Sequence, residues 1–129
     1  MHQLAYRAYG QTTRQTADPR QIEKTLFEQV TDALVHVNQS GGADAALWAD
    51  AVHRNSQLWL TLAGDLLTPE NALPSELKTG LLNLAEFVRR TSLAVLAGRE
   101  GMDDLIAINQ AVLGGLEAQS AAMALQQAG

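Results

Sequence analysis

The chain of 129 residues contains no cysteine, only three prolines and only six aromatic residues. The absence of cysteine excludes disulfide bonds, thiolate catalysis and cysteine-ligated zinc. No apolar run approaches the ~18 residues that suggest a membrane-spanning helix. The first seven residues also lack the charged start and apolar stretch of a signal peptide. We therefore predict a soluble, cytoplasmic protein that is not inserted in a membrane.

Basic residues are scarce as well, with nine Lys and Arg against fourteen Asp and Glu and a net charge of −5. Nucleic-acid affinity rests on the neutralisation of phosphates by cationic side chains. Here the cations are scattered, and their only adjacent pair is Arg89-Arg90. This distribution argues against a nucleic-acid partner.

Helix-forming apolar residues, by contrast, are abundant. Hydrophobic residues make up 47% of the chain and are mostly Leu, Ala and Val, a composition that favours helices over strands. A first helix is predicted from the capping pattern Asp18-Pro19-Arg20-Gln21 to a stop between Asn38 and Gly42. One apolar stripe follows at helical spacing: Ile22, Leu26, Phe27, Val30, Leu34 and Val37. The residues before this helix, 1–17, are predicted to form an N-terminal arm.

A second helix is predicted from about Asp44 to a point before Thr68-Pro69, because proline disfavours helix in the residue ahead of it. Its stripe comprises Leu47, Trp48, Ala51, Val52, Asn55, Leu58, Trp59, Leu62 and Leu66. A loop with two prolines, residues 69–74, separates it from the third helix. That helix is predicted to be capped by Ser75 and to run through Ala97, with Gly98 as its stop. Its apolar positions are Leu77, Leu81, Leu84, Ala85, Val88, Leu93, Val95 and Leu96, widened by Leu82 and Phe87.

The fourth helix is predicted from about Asp103, with acids at its favourable N-terminus. Leu105, Ile106, Ile108, Val112, Leu113 and Leu116 form its apolar face, and residues 118–129 either extend it or fray. Four amphipathic helices joined by short links bury their stripes most simply in an antiparallel bundle. We therefore predict a single all-α domain, a four-helix antiparallel bundle with an N-terminal arm.

Residues that would carry chemistry are not arranged as a site. His2, His36 and His53 have no partner at metal-ligand spacing, and Asp103-Asp104 read as a helix cap and a first-turn acid. No nucleophile elbow or glycine-rich phosphate loop is present. We predict no catalytic residue, no cofactor and no metal, and hence a protein that is not an enzyme. Asn109, within the apolar stripe, is predicted to be buried and to fix helix register.

The segment Leu58-Trp59-Leu60-Thr61-Leu62, with Leu66, Leu67 and Leu73 nearby, is rich in apolar residues and suggests binding rather than catalysis. Its apolar residues occur on more than one helical face. They are either core residues or a groove for a partner helix, since tryptophan is enriched among binding anchors. The residues taken as partner-binding are Trp48, Val52, Trp59, Leu62 and Leu66. Of the two tryptophans, Trp59 is expected to be the more buried.

The pattern Leu58-Trp59, then Asp65-Leu66, then Pro69-Glu70-Asn71-Ala72-Leu73-Pro74 resembles the FlaF family of flagellar biosynthesis proteins at matching spacing. Ala5-Tyr6 is similar to the opening of that family, and Leu105–Asn109 with Gly115-Leu116 is similar to its closing segment. The likeness covers about residues 1–116. Two positions depart from the family pattern: Phe87 replaces a tryptophan, and Ala107 stands where an acid is common, which removes any polar role there.

The resemblance implies a role in flagellum assembly in a bacterium of the alphaproteobacterial type. FlaF proteins are linked to flagellin production and are thought to bind flagellin as secretion chaperones, often beside a second regulator, FlbT. Two hypotheses follow. The protein either holds flagellin directly as an export chaperone, or acts as a regulatory adaptor through a partner such as FlbT.

Overall fold

The computed structural model describes the backbone of residues 19–128 and the side chains of residues 24–115. It contains four helices in this range and no strand: α1 (Pro19–Gln39), α2 (Ala45–Leu66), α3 (Ser75–Leu96) and α4 (Asp103–Ala128). The prediction of four helices in an all-α bundle is therefore confirmed. The predicted arm and the Asp18 cap lie outside the described residues. The backbone of residues 118–128 extends α4.

The turn between α1 and α2 forms as the sequence predicts. Gly41 and Gly42 both adopt positive φ, at 66° and 74°, a conformation that most other residues avoid. Asp44 then caps α2, because its carboxylate accepts hydrogen bonds from the backbone N–H groups of Ala46 and Leu47. This close turn makes α1 and α2 antiparallel neighbours.

The prediction that Ser75 caps α3 is wrong. Pro74 occupies the cap position, no side chain there accepts a backbone hydrogen bond, and Ser75 is already the first helical residue. Proline is compatible with this position because its φ of −57° and ψ of 146° are extended, as a residue just before a helix requires, and its carbonyl accepts from the backbone N–H of Lys78. The other end of α3 agrees with the prediction: Ala97 is the C-cap, and Gly98 follows with a φ of 76°.

The helices pack in a ring, with α2 between α1 and α3 and with α4 against α1. The contact between α3 and α4 is the thinnest of the four. A single hydrophobic cluster joins the helices, and its members are Phe27, Leu34, Val37, Ala51, Val52, Trp59, Val88, Val95, Met102 and Leu105. At one end of the bundle the Asn38 amide, near the C-terminus of α1, donates to the carboxylate of Asp103, at the N-terminus of α4, at 3.3 Å. These two helices are therefore antiparallel as well.

Several predicted core positions are instead exposed. Leu47 on α2 and Leu77, Phe87, Leu93 and Leu96 on α3 all face solvent to a large extent. Helix α3 carries leucines on two faces, and only one face can meet α2 and the core.

The core face of α3 contains Val88, Thr91, Ser92 and Val95. Ser92 tolerates burial because its hydroxyl donates to the backbone carbonyl of Val88 one turn earlier, at 2.6 Å. Thr91 and Ser92 therefore face inward, while the leucines at 93 and 96 remain outside.

Candidate partner-binding site

The loop between α2 and α3 is held together by one asparagine. The Asn71 side-chain amide donates to the Asp65 carboxylate at 3.0 Å, and its carbonyl oxygen accepts from the backbone N–H of Leu73 at 3.1 Å. The Thr68 hydroxyl also donates to the backbone carbonyl of Asp65, at 2.7 Å. Glu70, in contrast, is exposed. Within the segment that resembles the family, Asp65 and Asn71 thus have a structural role in shaping the loop.

We expect Asn71→Ala to lower the free energy of unfolding by about 1–2 kcal/mol, since it removes two hydrogen bonds that order the loop. Glu70→Ala is the matched control in the same loop and should change stability by less than about 0.5 kcal/mol. Urea unfolding followed by circular dichroism measures both. Equal stability of the two variants would contradict the structural role of Asn71.

Leu73→Ala, at a half-buried position, should likewise reduce mainly stability, and Glu70→Ala should leave partner affinity unchanged.

A buried polar chain links α2 to α4 across the core. The indole N–H of Trp59 donates to the side-chain carbonyl of Asn109 at 2.9 Å, and the Asn109 amide donates to the side-chain carbonyl of Asn55 at 2.7 Å. All three side chains are buried. The predicted burial of Asn109 is therefore correct, and its hydrogen bonds select one alignment of α4 against α2.

Two further polar atoms lie in the core beside this chain. Thr31 Oγ1 and Asn55 Nδ2 are buried and have no hydrogen-bond partner within the part of the chain that is described. Thr31 lies one turn after Phe27, and Asn55 lies one turn before Trp59; the Phe27 and Trp59 rings meet edge to face at 5.7 Å. Because α1 and α2 are antiparallel, Thr31 and Asn55 occupy the same layer of the bundle. This layer is polar on α1, α2 and α4.

The five residues predicted to bind a partner are not exposed in the structure. Val52, Trp59 and Leu66 are buried, whereas Trp48 and Leu62 are half-buried against the core. As expected, Trp59 is more buried than Trp48. That a partner contacts any of these five stays a prediction.

Trp48 covers the turn between α1 and α2. A Cβ atom placed on Gly42 would lie 3.3 Å from Cε3 of the Trp48 ring. Glycine at this position therefore gives the ring room as well as permitting the positive φ. Trp48 is held against a turn of its own chain, which explains its partial burial.

An open groove of about 380 Å³ runs along the outside of the bundle between α2 and α3. Trp59 and Val88 form its floor together with Ala63 and Ala85, and Leu60 is one of its walls. Leu60 is 67% exposed, and Leu67, the C-cap residue of α2, is 71% exposed. The remaining lining residues are Ser56, Gln57, Leu82, Glu86 and Arg89. Leu60 and Leu67 belong to the apolar segment noted in the sequence, but not to the five residues predicted to bind a partner.

Charged side chains lie along the α3 side of this groove. Glu86 accepts two hydrogen bonds from Arg89, at 2.9 and 2.7 Å, and lies 3.7 Å from Arg90. The hydrogen bond from Arg89 lowers the pKa of the Glu86 carboxyl, helped by the charges of Arg89 and Arg90 and opposed by desolvation. The same hydrogen bond raises the pKa of Arg89. Glu86 is thus shared between two arginines that are themselves exposed.

No three His, Asp or Glu side chains of the described residues come together as metal ligands. Among the described helices, none combines the length and apolar character that crossing a membrane requires.

Comparison with known proteins identifies the family. The model of the family described as "Flagellar protein FlaF" matches residues 5–116. No match was found among curated proteins or among solved structures. The matched range includes the loop built on Asp65 and Asn71, the buried Trp59–Asn109 pair and the whole α2/α3 groove. The chain belongs to the FlaF family of flagellar proteins.

Proposed function

We propose that this flagellar protein is an export chaperone that binds flagellin directly in the cytoplasm and catalyses no reaction. The observation that carries the proposal is the apolar groove between α2 and α3 in a member of a flagellar family. Flagellin's terminal segments are expected to form amphipathic helices, which need shielding before export. An exposed apolar groove between two helices is a common docking site for such helices.

The exposed leucines add to this support. Leu60 and Leu67 are exposed at α2, and Leu93 and Leu96 are exposed on α3. Large apolar side chains exposed beside an apolar groove are typical of an interaction site. Binding therefore explains why α3 keeps leucines on the face that the core does not use.

The direct test is complex formation between the purified full chain and purified flagellin, measured by size-exclusion chromatography with light scattering. We expect a stoichiometric complex that elutes ahead of both components. If flagellin binds only after FlbT is added, the protein is a regulatory adaptor and the chaperone proposal is wrong. Bovine serum albumin at the same concentration serves as the control for non-specific apolar association.

A further inference from the structure

The groove continues into a larger apolar surface on the same side of the bundle, here called the outer α2/α3 face. Leu82, Glu86, Arg89, Leu93 and Leu96 follow one another at intervals of three or four residues, so they share one side of α3. Leu60 lies on the facing side of α2, and Leu67, the C-cap residue seven positions later, follows on the same side. Of the leucines that line the groove, Leu60 on α2 is exposed and Leu82 on α3 is half-buried, and Leu93 and Leu96 continue the α3 side beyond it.

The shape of this face suits a helix. Helices α2 and α3 lie side by side and form the two ridges of the groove. The residues between the ridges include the small Ala63 and Ala85. Small side chains at the bottom of a groove let a docked helix approach closely, and leucine ridges on both sides can interdigitate with its apolar residues. A helix of about 18 residues, ~27 Å long, would follow most of α2.

The charge of this face is opposite to that of the whole chain. Arg89 lines the groove and Arg90 pairs with Glu86 beside it, so these two cations against the Glu86 carboxylate leave a net charge of +1. The whole chain carries −5. The groove-lining residues of α2 are all uncharged. A partner that places acidic residues beside its apolar stripe therefore complements the α3 side.

The same charges disfavour a second copy of this chain as the occupant. A symmetric dimer through the outer α2/α3 face would bring two positive surfaces together. We infer that this face binds an amphipathic helix of a partner protein, with leucine-rich contacts to Leu60 and Leu82 and with acidic residues of the partner beside Arg89 and Arg90. The inference rests on the proposed function in so far as flagellin supplies that helix.

Two designed peptides of about 18 residues test the chemistry without flagellin. Both carry the same leucine stripe at helical spacing; one has glutamates beside the stripe, and the other has lysines. Each is labelled with fluorescein and titrated with the full chain, and its anisotropy is measured. We expect the glutamate peptide to bind at least about tenfold more tightly than the lysine peptide, with an affinity that falls as salt rises.

Substitutions in the full chain locate the binding. Leu60→Asp should weaken the binding of the glutamate peptide and of flagellin by about tenfold or more, because it places a charge on the wall of the groove. Leu47→Asp is the matched control: Leu47 is a leucine of the same helix, 52% exposed, but lies outside the groove. Arg90→Glu should weaken the binding of both ligands about fivefold or more. Arg99→Glu makes the same charge change in the loop after α3 and should leave both affinities unchanged.

The outcomes separate the two proposals. If flagellin binds and Leu60→Asp binds as well as Leu47→Asp, with both variants showing wild-type circular dichroism and melting, the outer face is not the site while the chaperone proposal stands. If the glutamate peptide binds through Leu60 but flagellin does not bind, the surface stands and the chaperone proposal fails. If the lysine peptide binds as tightly as the glutamate peptide, the assignment of an acidic partner is overturned. If no probe binds, both proposals fail.

Discussion

Replacement of Trp59 by alanine is expected to unfold most of the protein at 37 °C. The side chain is only 2% exposed, packs edge to face on Phe27 and donates a buried hydrogen bond to Asn109. Large-to-small changes at such sites cost about 3–5 kcal/mol. Asn109 would also lose the donor to its carbonyl oxygen, which adds roughly 1–3 kcal/mol if no other donor replaces it. This sum approaches the whole stability of many domains, about 5–15 kcal/mol.

Urea unfolding followed by circular dichroism at 222 nm measures the effect. Trp59→Phe keeps most of the aromatic volume and removes the indole N–H, so it should be clearly more stable than Trp59→Ala. Trp48→Ala provides the comparison at a half-buried tryptophan of the same helix and should cost less than half as much as Trp59→Ala. A folded Trp59→Ala with near-wild-type stability would show that the ring is not the core anchor that the structure describes.

The same Trp48→Ala protein tests the prediction from the sequence that Trp48 contacts a partner. It should remain folded, so its affinity for flagellin can be measured. Because the Trp48 ring covers Gly42 at the α1/α2 turn, we expect flagellin binding to be unchanged. A loss of affinity in the folded variant would instead place the partner at this turn.

Much of the fold could be predicted because its signals are local. Asp44 at the start of α2, Gly98 as the stop of α3 and the prolines at 69 and 74 act on backbone groups a few residues away, and their effects can be read in sequence order. The apolar stripe of α1 is equally clear, since Phe27, Leu34 and Val37 share one face. The Ser75 cap was wrong because Ser75 and its neighbour Pro74 both suit the start of a helix, and sequence alone does not decide which stands outside it.

The orientation of α3 could not be predicted for a different reason. Its leucines occupy two faces, so periodicity does not determine which of them turns inward. The structure turns Thr91 and Ser92 toward the core, where Ser92 satisfies its hydroxyl on its own backbone, and leaves Leu93 and Leu96 outside. The outer α2/α3 face follows from this rotation. The binding residues selected from sequence consequently differ from the exposed apolar residues that the structure presents.

Tertiary hydrogen bonds were beyond sequence reasoning altogether. Asn109 stands out as a polar residue in an apolar stripe, but its partners Trp59 and Asn55 are 50 and 54 positions away. No local pattern pairs these side chains. They become a unit only when α2 and α4 pack at one register, and that register is the property that the buried polar chain reinforces.

Asn109→Leu alone should therefore lower the free energy of unfolding by about 2–4 kcal/mol, although leucine suits a buried position. The substitution removes both hydrogen bonds and leaves the Trp59 N–H and the Asn55 carbonyl buried without their partner, each at a cost of about 1–3 kcal/mol, partly offset by the added apolar contact. Asn38→Ala is the matched control. Asn38 also reaches between two helices, through its bond to Asp103, but at an exposed site, and its loss should cost about 0.5 kcal/mol or less.

A double-mutant cycle separates the hydrogen bond from the packing. Trp59→Phe and Asn109→Leu each leave one member of the pair without its partner, whereas the double variant removes both members. The double variant should therefore be less destabilised than the sum of the two single variants, by about 1–2 kcal/mol. Strict additivity in urea unfolding would mean that the 2.9 Å contact contributes nothing to stability. Apolar contacts alone permit α4 to shift against α2. If the double variant shows positive coupling and also a smaller slope of unfolding free energy against urea concentration, the polar pair also maintains a single helix register.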